Sequence, residues 1–201
     1  MSKLSYRHVS GEKRNNNCIS FCLFESEKFD YQKHILPFEQ LLTNDIVNQY
    51  DILLFYKDEK LLSDDIKNSP FVRFFEVTSD EKNFDRHLWR YMGGQENYDW
   101  FWFRGMDSPI IPPREIKLQN IASCGGCDSI IWSATYSNCM GKFAMKKTQS
   151  YSLKKFFDNV NISHELKNNW HVDELLLSTW IDIGEQKILY VVDRPTFETP
   201  H

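Results

Sequence analysis

Four short apolar runs, separated by stretches with helical spacing, most constrain how this chain can fold. They are Cys18-Ile19-Ser20-Phe21-Cys22-Leu23-Phe24, Ile52-Leu53-Leu54-Phe55-Tyr56, Val72-Arg73-Phe74-Phe75-Glu76-Val77 and Tyr98-Asp99-Trp100-Phe101-Trp102-Phe103. Each is short, apolar and rich in β-formers, which suits a strand buried on both faces better than a helix. Between the first two, Tyr31 to Val47 places Ile35, Leu36, Phe38, Leu41, Leu42 and Ile46 at three- and four-residue spacings, the pattern of an amphipathic helix. Leu61 to Lys67 is a short helical piece. Asn83 to Met92 reads as a helix carrying Phe84, Leu88 and Trp89, closed by Gly93-Gly94. This alternation predicts an α/β, Rossmann-like domain with a mostly parallel central sheet and helices on both faces.

The second half is less regular. Pro112-Pro113-Arg114-Glu115 opens a predicted helix to about Ala122, because proline suits a first turn and a glutamate favours a positive helix N-terminus. Strands are expected at Ile130–Trp132, Lys142–Met145 and Ile188–Val192, and helices near Leu153–Val160 and His171–Ile183. Residues 1–17 are polar, with the run Lys13-Arg14-Asn15-Asn16-Asn17, and read as a loosely attached arm ahead of one domain over 18–201. A length of 201 residues holds a full α/β core and leaves little for a second domain.

Composition then removes whole classes. Twenty-eight acidic against 24 basic residues give a net charge of −4, which argues against coating a nucleic-acid duplex, so nucleic acid is not an expected partner. No stretch approaches the roughly 18 apolar residues of a membrane span, and the polar N-terminus has no apolar signal core. No transmembrane segment is expected, and the expected location is cytoplasmic. Five cysteines, an odd count in a chain with ample apolar content, are expected as free thiols. Cys124-Gly-Gly-Cys127 has the spacing of half a zinc site, but no second Cys or His pair stands nearby to complete four ligands. It reads as a loop with two thiols.

In open α/β sheets ligands sit outside the carboxyl ends of the strands. The stretches to inspect are therefore Glu25 to Lys28, Lys57 to Lys60, Thr78 to Glu81 and Arg104 to Ser108. The last puts a guanidinium, a glycine, a carboxylate and a hydroxyl in one tight loop, and a carboxylate there can share a divalent cation with substrate phosphates. Asp107-Ser108-Pro109 also suits a plain turn and helix cap. A reading from another class pairs Asp107 with Glu115 and Lys117, the acid…acid-x-lysine pattern of metal-dependent nucleases. That chemistry wants the second acid and the lysine on a strand, whereas Pro112-Pro113 points to a helix.

The ordered set Leu88-Trp89-Arg90-Tyr91, Trp100 to Phe103, Arg104-Gly105-Met106-Asp107-Ser108, Arg114-Glu115, Met140-Gly141-Lys142-Phe143 and Asp173-Glu174-Leu175-Leu176-Leu177 resembles the motif order of small GT-A type nucleotide-sugar glycosyltransferases. The set is similar to compact viral and bacterial members, including the chlorella-virus capsid-glycosylating domain, over about Cys18 to Val192. The resemblance implies a single GT-A domain that moves a sugar from a nucleotide diphosphate to a hydroxyl of a glycan or glycoprotein. It implies Mn²⁺ or Mg²⁺ on the diphosphate, held by an Asp-x-Asp motif. Here Gly105 stands where the first acid belongs, so only Asp107 matches the metal position, and Arg104, Arg114 or Lys117 would supply phosphate neutralisation. Arg90 and Ser108 would lie by the donor, and Tyr56 at the strand end that holds base and ribose. Asp173 or Glu174 would act as the base on the acceptor, with His171 nearby. The missing first acid also fits a catalytically inactive sugar-nucleotide-binding module.

Overall fold

Why the apolar runs become strands is visible in which way their side chains point. In the computed structural model, residues 5–27, 29–78, 85–107, 109–111, 113–135, 138–159, 176–177, 179–181 and 187–192 are described. The strands are β1 (Tyr6–Ser10), β2 (Asn17–Leu23), β3 (Tyr50–Tyr56), β4 (Val72–Val77), β5 (Trp100–Phe103), β6 (Ser129–Thr135), β7 (Asn138–Lys146) and β8 (Ile188–Val192). The helices are α1 (Tyr31–Leu42), α2 (Asp64–Lys67), α3 (Asp85–Leu88), α4 (Pro113–Cys124) and α5 (Lys147–Asn159). In β5, Trp100 and Trp102 enter one core cluster, while Phe101 and Phe103 enter the other. β3 divides the same way, Ile52, Leu54 and Tyr56 against Leu53 and Phe55. Consecutive strand residues face opposite sides, so a run that is apolar at every position needs a helical layer on both.

The layers are there. One face carries α1 and α4 over Phe21, Ile52, Leu54 and Trp102, and the other carries residues 88–92 and α5 over Leu53, Phe55, Phe101 and Phe103. One eight-stranded sheet runs β1-β4-β3-β2-β5-β7-β6-β8. Its centre, β4-β3-β2-β5, is parallel in unbroken register. β7 joins β5 antiparallel, β6 joins β7 antiparallel, and β8 runs parallel to β6. This is the expected α/β domain, mostly parallel at its centre.

Several boundaries differ from the sequence reading, each for a local reason. Part of the polar arm is ordered on the sheet as β1, antiparallel to β4, so it is not loosely attached. Tyr6 rests on the rings of Phe55 at 5.2 Å and Phe75 at 5.5 Å, and Arg7 Nε donates to Glu76 at 2.7 Å. Gly11 turns the chain at φ +86°, where an added Cβ would lie 2.3 Å from the Val72 carbonyl oxygen. Beyond it, the Arg14 and Asn15 amides and the Asn15 side chain donate to Asp51, which is buried and also accepts from Tyr98 at 2.7 Å. Polar bonds, not an apolar run, secure this segment.

The helix expected to Val47 stops at Leu42. Asn44 caps a separate 3-10 turn, Asp45–Asn48, by accepting from the Ile46 amide at 3.0 Å. The helix expected over 83–92 is α3 followed by a 3-10 helix, Trp89–Gln95, lying close on the sheet. An added Cβ on Gly93 would come within 3.0 Å of Ser20 Oγ and 3.2 Å of Leu53 Cδ1, so glycine there permits the approach. Burial raises the Tyr50 hydroxyl to about 12, and pushes Tyr6 and Tyr98, each bonded to a carboxylate, upward as well.

Candidate active site at the β2/β5 switch point

β2 is the first strand of the parallel set, and the chain builds outward from it to β3 and β4 before returning to β2's other side for β5. The crossovers therefore part between β2 and β5, leaving a crevice at their carboxyl ends, the position where such sheets bind ligands. The described residues of two loops border it, 24–27 and 29–30 after β2, and 104–107 and 109–111 after β5.

The β5 loop is anchored at its root. Ser20 and Phe103 are paired in the ladder, and the Arg104 amide donates to the Ser20 carbonyl at 3.2 Å. The Arg104 side chain turns inward, is 1% exposed, and forms an ion pair with Glu115 of α4. Its guanidinium lies 5.5 Å from the Trp102 ring centroid. Burial lowers it to about 10, so it stays charged at neutral pH. Arg104, expected on the donor phosphates, is an interior group. Asp107, three residues on, is exposed, and its Oδ1 folds back to 2.5 Å from where a Cβ on Gly105 would stand. A side chain at position 105 would require that exposed carboxylate to swing aside. Arg114 is exposed in the first turn of α4.

The β2 loop is tied from the other side. Arg86 Nη1 donates to the Glu25 carbonyl at 2.5 Å, joining α3 to the loop. Ser20 Oγ donates to the Arg90 carbonyl at 2.5 Å, which brings Arg90 beside β2 with its guanidinium 5.1 Å from the Tyr91 ring centroid. Glu25, Glu27 and Asp30 are exposed, and Asp30 caps α1 by accepting from the Gln32 and Lys33 amides. Tyr56 ends β3, one strand removed from the crevice, and packs edge-on to Phe74. Its hydroxyl is raised by burial and by Glu59 and Glu76.

The fold thus sets Arg104, Asp107 and Arg114 on one loop-helix unit, while Arg90 lies by Ser20 in the layer on the other face of the sheet and Tyr56 ends the next strand. Ser108, His171, Asp173 and Glu174 lie outside the described residues. The nuclease pattern does not assemble: Glu115 is buried against Arg104, and Lys117 is exposed two helical positions on, so the two do not face one site. Among the described residues no group of three or more His, Cys, Asp or Glu could hold a metal. Asp107 alone fits a cation that takes most of its oxygens from phosphate and water, as Mg²⁺ commonly does. Cys124 is exposed and Cys127 half-buried, both free. Among the described residues, no helix is long and apolar enough to cross a membrane.

Sequence reasoning marked Glu25 to Lys28 after β2 as a stretch to inspect but missed Gln119. Gln119 is a buried polar residue whose Oε1 accepts from Tyr50 at 3.0 Å and from the Trp102 indole at 2.7 Å. A glutamine four residues after Glu115 was the available signal, since that spacing puts both on one helical stripe.

No protein-family model matches the sequence, and no curated protein does. Solved structures do match in fold. A 4-diphosphocytidyl-2C-methyl-D-erythritol synthase from Anaerococcus prevotii superposes with a TM-score of 0.57 at 13% identity, covering 89% of this chain and 87% of that one. A CMP:2-keto-3-deoxy-manno-octonic acid synthetase complexed with CTP gives 0.56 at 10% identity, covering 89% and 90%. A protein assigned as a nucleotide-diphospho-sugar transferase, from Desulfovibrio desulfuricans, gives 0.54 at 15% identity, covering 90% and 81%. At these identities what is shared is the fold, a single α/β domain with a sheet that is mostly parallel at its centre.

Proposed function

We propose that this chain is a cytoplasmic transferase that binds a nucleotide-sugar in the β2/β5 crevice and moves the sugar to a hydroxyl of a glycan or glycoprotein. The observation that carries the reading is the switch point itself, which sets the Arg104–Asp107 loop at the crevice of a fold shared with enzymes named for nucleotide and nucleotide-sugar transfer. The finer likeness to viral capsid-glycosylating enzymes rests on motif order.

In this reading the acceptor oxygen attacks the anomeric carbon. The bond from that carbon to the diphosphate oxygen breaks, its electron pair leaves on the diphosphate, and the acceptor proton passes to Asp173 or Glu174. Arg114 and Arg90 neutralise the departing charge from opposite sides. Arg104 contributes through the loop it anchors. Asp107 would hold Mn²⁺ or Mg²⁺, which supplies Lewis-acid stabilisation of the leaving diphosphate.

The named neighbours also raise transfer of a nucleotidyl group from a triphosphate. Against that stands the β2 loop, where Glu25 and Glu27 are exposed and the Asp30 carboxylate occupies the first amides of α1. A triphosphate at that loop would meet carboxylates where it needs donors. A nucleotide-sugar diphosphate carries less charge and can keep to the β5 side.

The test is a panel of nucleotide-sugars and, separately, nucleoside triphosphates with sugars, each with and without Mn²⁺, read by thermal shift and by product. Stabilisation and sugar release from one nucleotide-sugar support the proposal. Pyrophosphate release from a triphosphate moves the assignment to nucleotidyl transfer, and binding without turnover moves it to an inactive module. Asp107→Asn is expected to reduce turnover by at least the roughly 10–100-fold that outer-shell partners of metal ligands already cost. Unchanged turnover removes Asp107 from the metal site.

A further inference from the structure

α4 docks in an unusual way. Its buried residues are Glu115, Gln119 and Ala122, one stripe at helical spacing of which two are polar, while Ile121 is 59% exposed. The partners of that stripe are on the strands beneath it and at the end of β5. Glu115 pairs with Arg104, and Gln119 accepts from Trp102 and Tyr50. Arg104 also lies over the Trp102 ring, so Arg104, Trp102, Glu115 and Gln119 form one connected cluster at the β5 end of the crevice.

A buried ion pair is a poor means of simply attaching a helix, because desolvation makes it no better than an apolar pair of the same volume. Its distinguishing property is directional: the guanidinium and carboxylate meet well in few geometries. Here the two partners bracket the segment that carries Asp107. Arg104 stands at its root, where the amide bonds Ser20 of β2, and Glu115 stands in the first turn of the helix that ends it. Met106 and Ile111 are buried between them, at 5% and 2% exposure, and Asp107 projects into solvent. Holding both ends, with Met106 and Ile111 buried between them, narrows the backbone positions open to the segment that carries the exposed carboxylate.

We propose that Glu115 is a positioning residue that holds Arg104 and so sets the Gly105–Asp107 loop at the β2/β5 crevice for the donor diphosphate. The loop-setting stands on geometry alone, and its consequence for the diphosphate rests on the function proposed above. Arg104 and Glu115 then need not touch the donor.

The experiment uses the full chain as wild type, Glu115→Gln and Arg104→Lys, with two readouts. The first is hydrogen exchange without ligand. Amides of 105–111 are expected to exchange roughly tenfold faster or more in Glu115→Gln, as a buried charge left without its counterpart loosens its surroundings, while β2 and β3 keep wild-type protection. Unchanged exchange at 105–111, or an equal rise across β2 and β3, overturns the proposal. The second readout is calorimetric titration with inorganic pyrophosphate and Mn²⁺. Affinity is expected to fall in both variants, and wild-type affinity in a variant whose loop exchanges faster overturns the link to the diphosphate. A wild-type chain that does not bind pyrophosphate with Mn²⁺ counts against the donor site and leaves the exchange result to decide the loop-setting role. Failure of both variants to fold makes the pair a requirement of the fold and overturns the proposal.

Discussion

α1 and α4 each span 12 residues and contribute to the same core cluster, but α4 adds buried polar partners to the apolar contact that holds α1. α1 buries Ile35, Phe38 and Leu41, an apolar stripe that any matching surface would accept. α4 buries Glu115 and Gln119 beside Ala122, with Ile116 and Leu118 half-buried against the same cluster, and its two polar groups accept only the partners they have. α1 even carries Pro37 inside it, a change worth about 3 kcal/mol against an isolated helix, and still runs to Leu42. Apolar burial and the Asp30 cap outweigh the lost hydrogen bond. The difference is between attachment and placement: α1 supplies stability to β2 and β3, while α4 gives a defined position to the loop beside the crevice.

The comparison breaks most visibly if α1 proves dispensable. Phe38 is fully buried and meets Phe21 edge-on at 5.0 Å. Phe38→Ala is expected to cost about 3–5 kcal/mol through lost burial and the cavity left behind. In a chain of this length that is a fall in Tm of roughly 6–20 °C. Denaturant unfolding should show one cooperative transition shifted to lower midpoint, with protection lost throughout β2 and β3. A shift under about 1 kcal/mol would mean that α1 is not a principal support of the sheet.

Gln119→Ala probes the polar contacts. It removes an acceptor shared by Tyr50, whose raised hydroxyl stays a donor across the working pH range, and by the Trp102 indole. The expected loss is about 1–3 kcal/mol. Its distribution matters more than its size: hydrogen exchange should rise in α4 and the 105–111 loop before it rises in β3. Uniform loss would make Gln119 an ordinary core residue and erase the distinction.

How much of this could be read beforehand follows the same division. β2 to β5 and α1 declare themselves because an apolar pattern and a fold driven by apolar burial are the same information. β1 does not, since Arg7 and His8 show no strand pattern, and its place depends on pairing with β4 and on Gly11. The 3-10 helix at Trp89–Gln95 depends on Gly93 meeting Ser20, a contact far apart in the chain. The start of α4 was legible from Pro113, but its buried face was not, because Glu115 and Gln119 look like solvent residues until their partners are known. Arg104 shows the limit at the site. A guanidinium beside Asp107 reads as a phosphate ligand by type, yet its side chain turns inward to Glu115 and is buried, which residue type cannot show.

The smallest expected effect is the sharpest check on α4. Ile121 is the most exposed large apolar residue among those described, and it lies on the helix whose buried stripe is polar. If α4 is seated by Glu115 and Gln119, then Ile121→Lys exchanges one solvent-facing side chain for another, and stability should stay within about 0.5 kcal/mol of wild type, or roughly 2 °C in Tm. The same change at Leu41, fully buried in α1, would place a charge in the core and unfold the chain. Thermal melts of Ile121→Lys at several protein concentrations make the measurement decisive. A fall of more than about 1 kcal/mol that grows with concentration would show Ile121 covered in a self-association that the variant breaks, because stability gained by association depends on concentration. A fall independent of concentration would show instead that the outer face of α4 contributes to folding. Either result would mean that α4 is held by apolar contact on its outer face as well, and the contrast with α1 would be one of side rather than of kind.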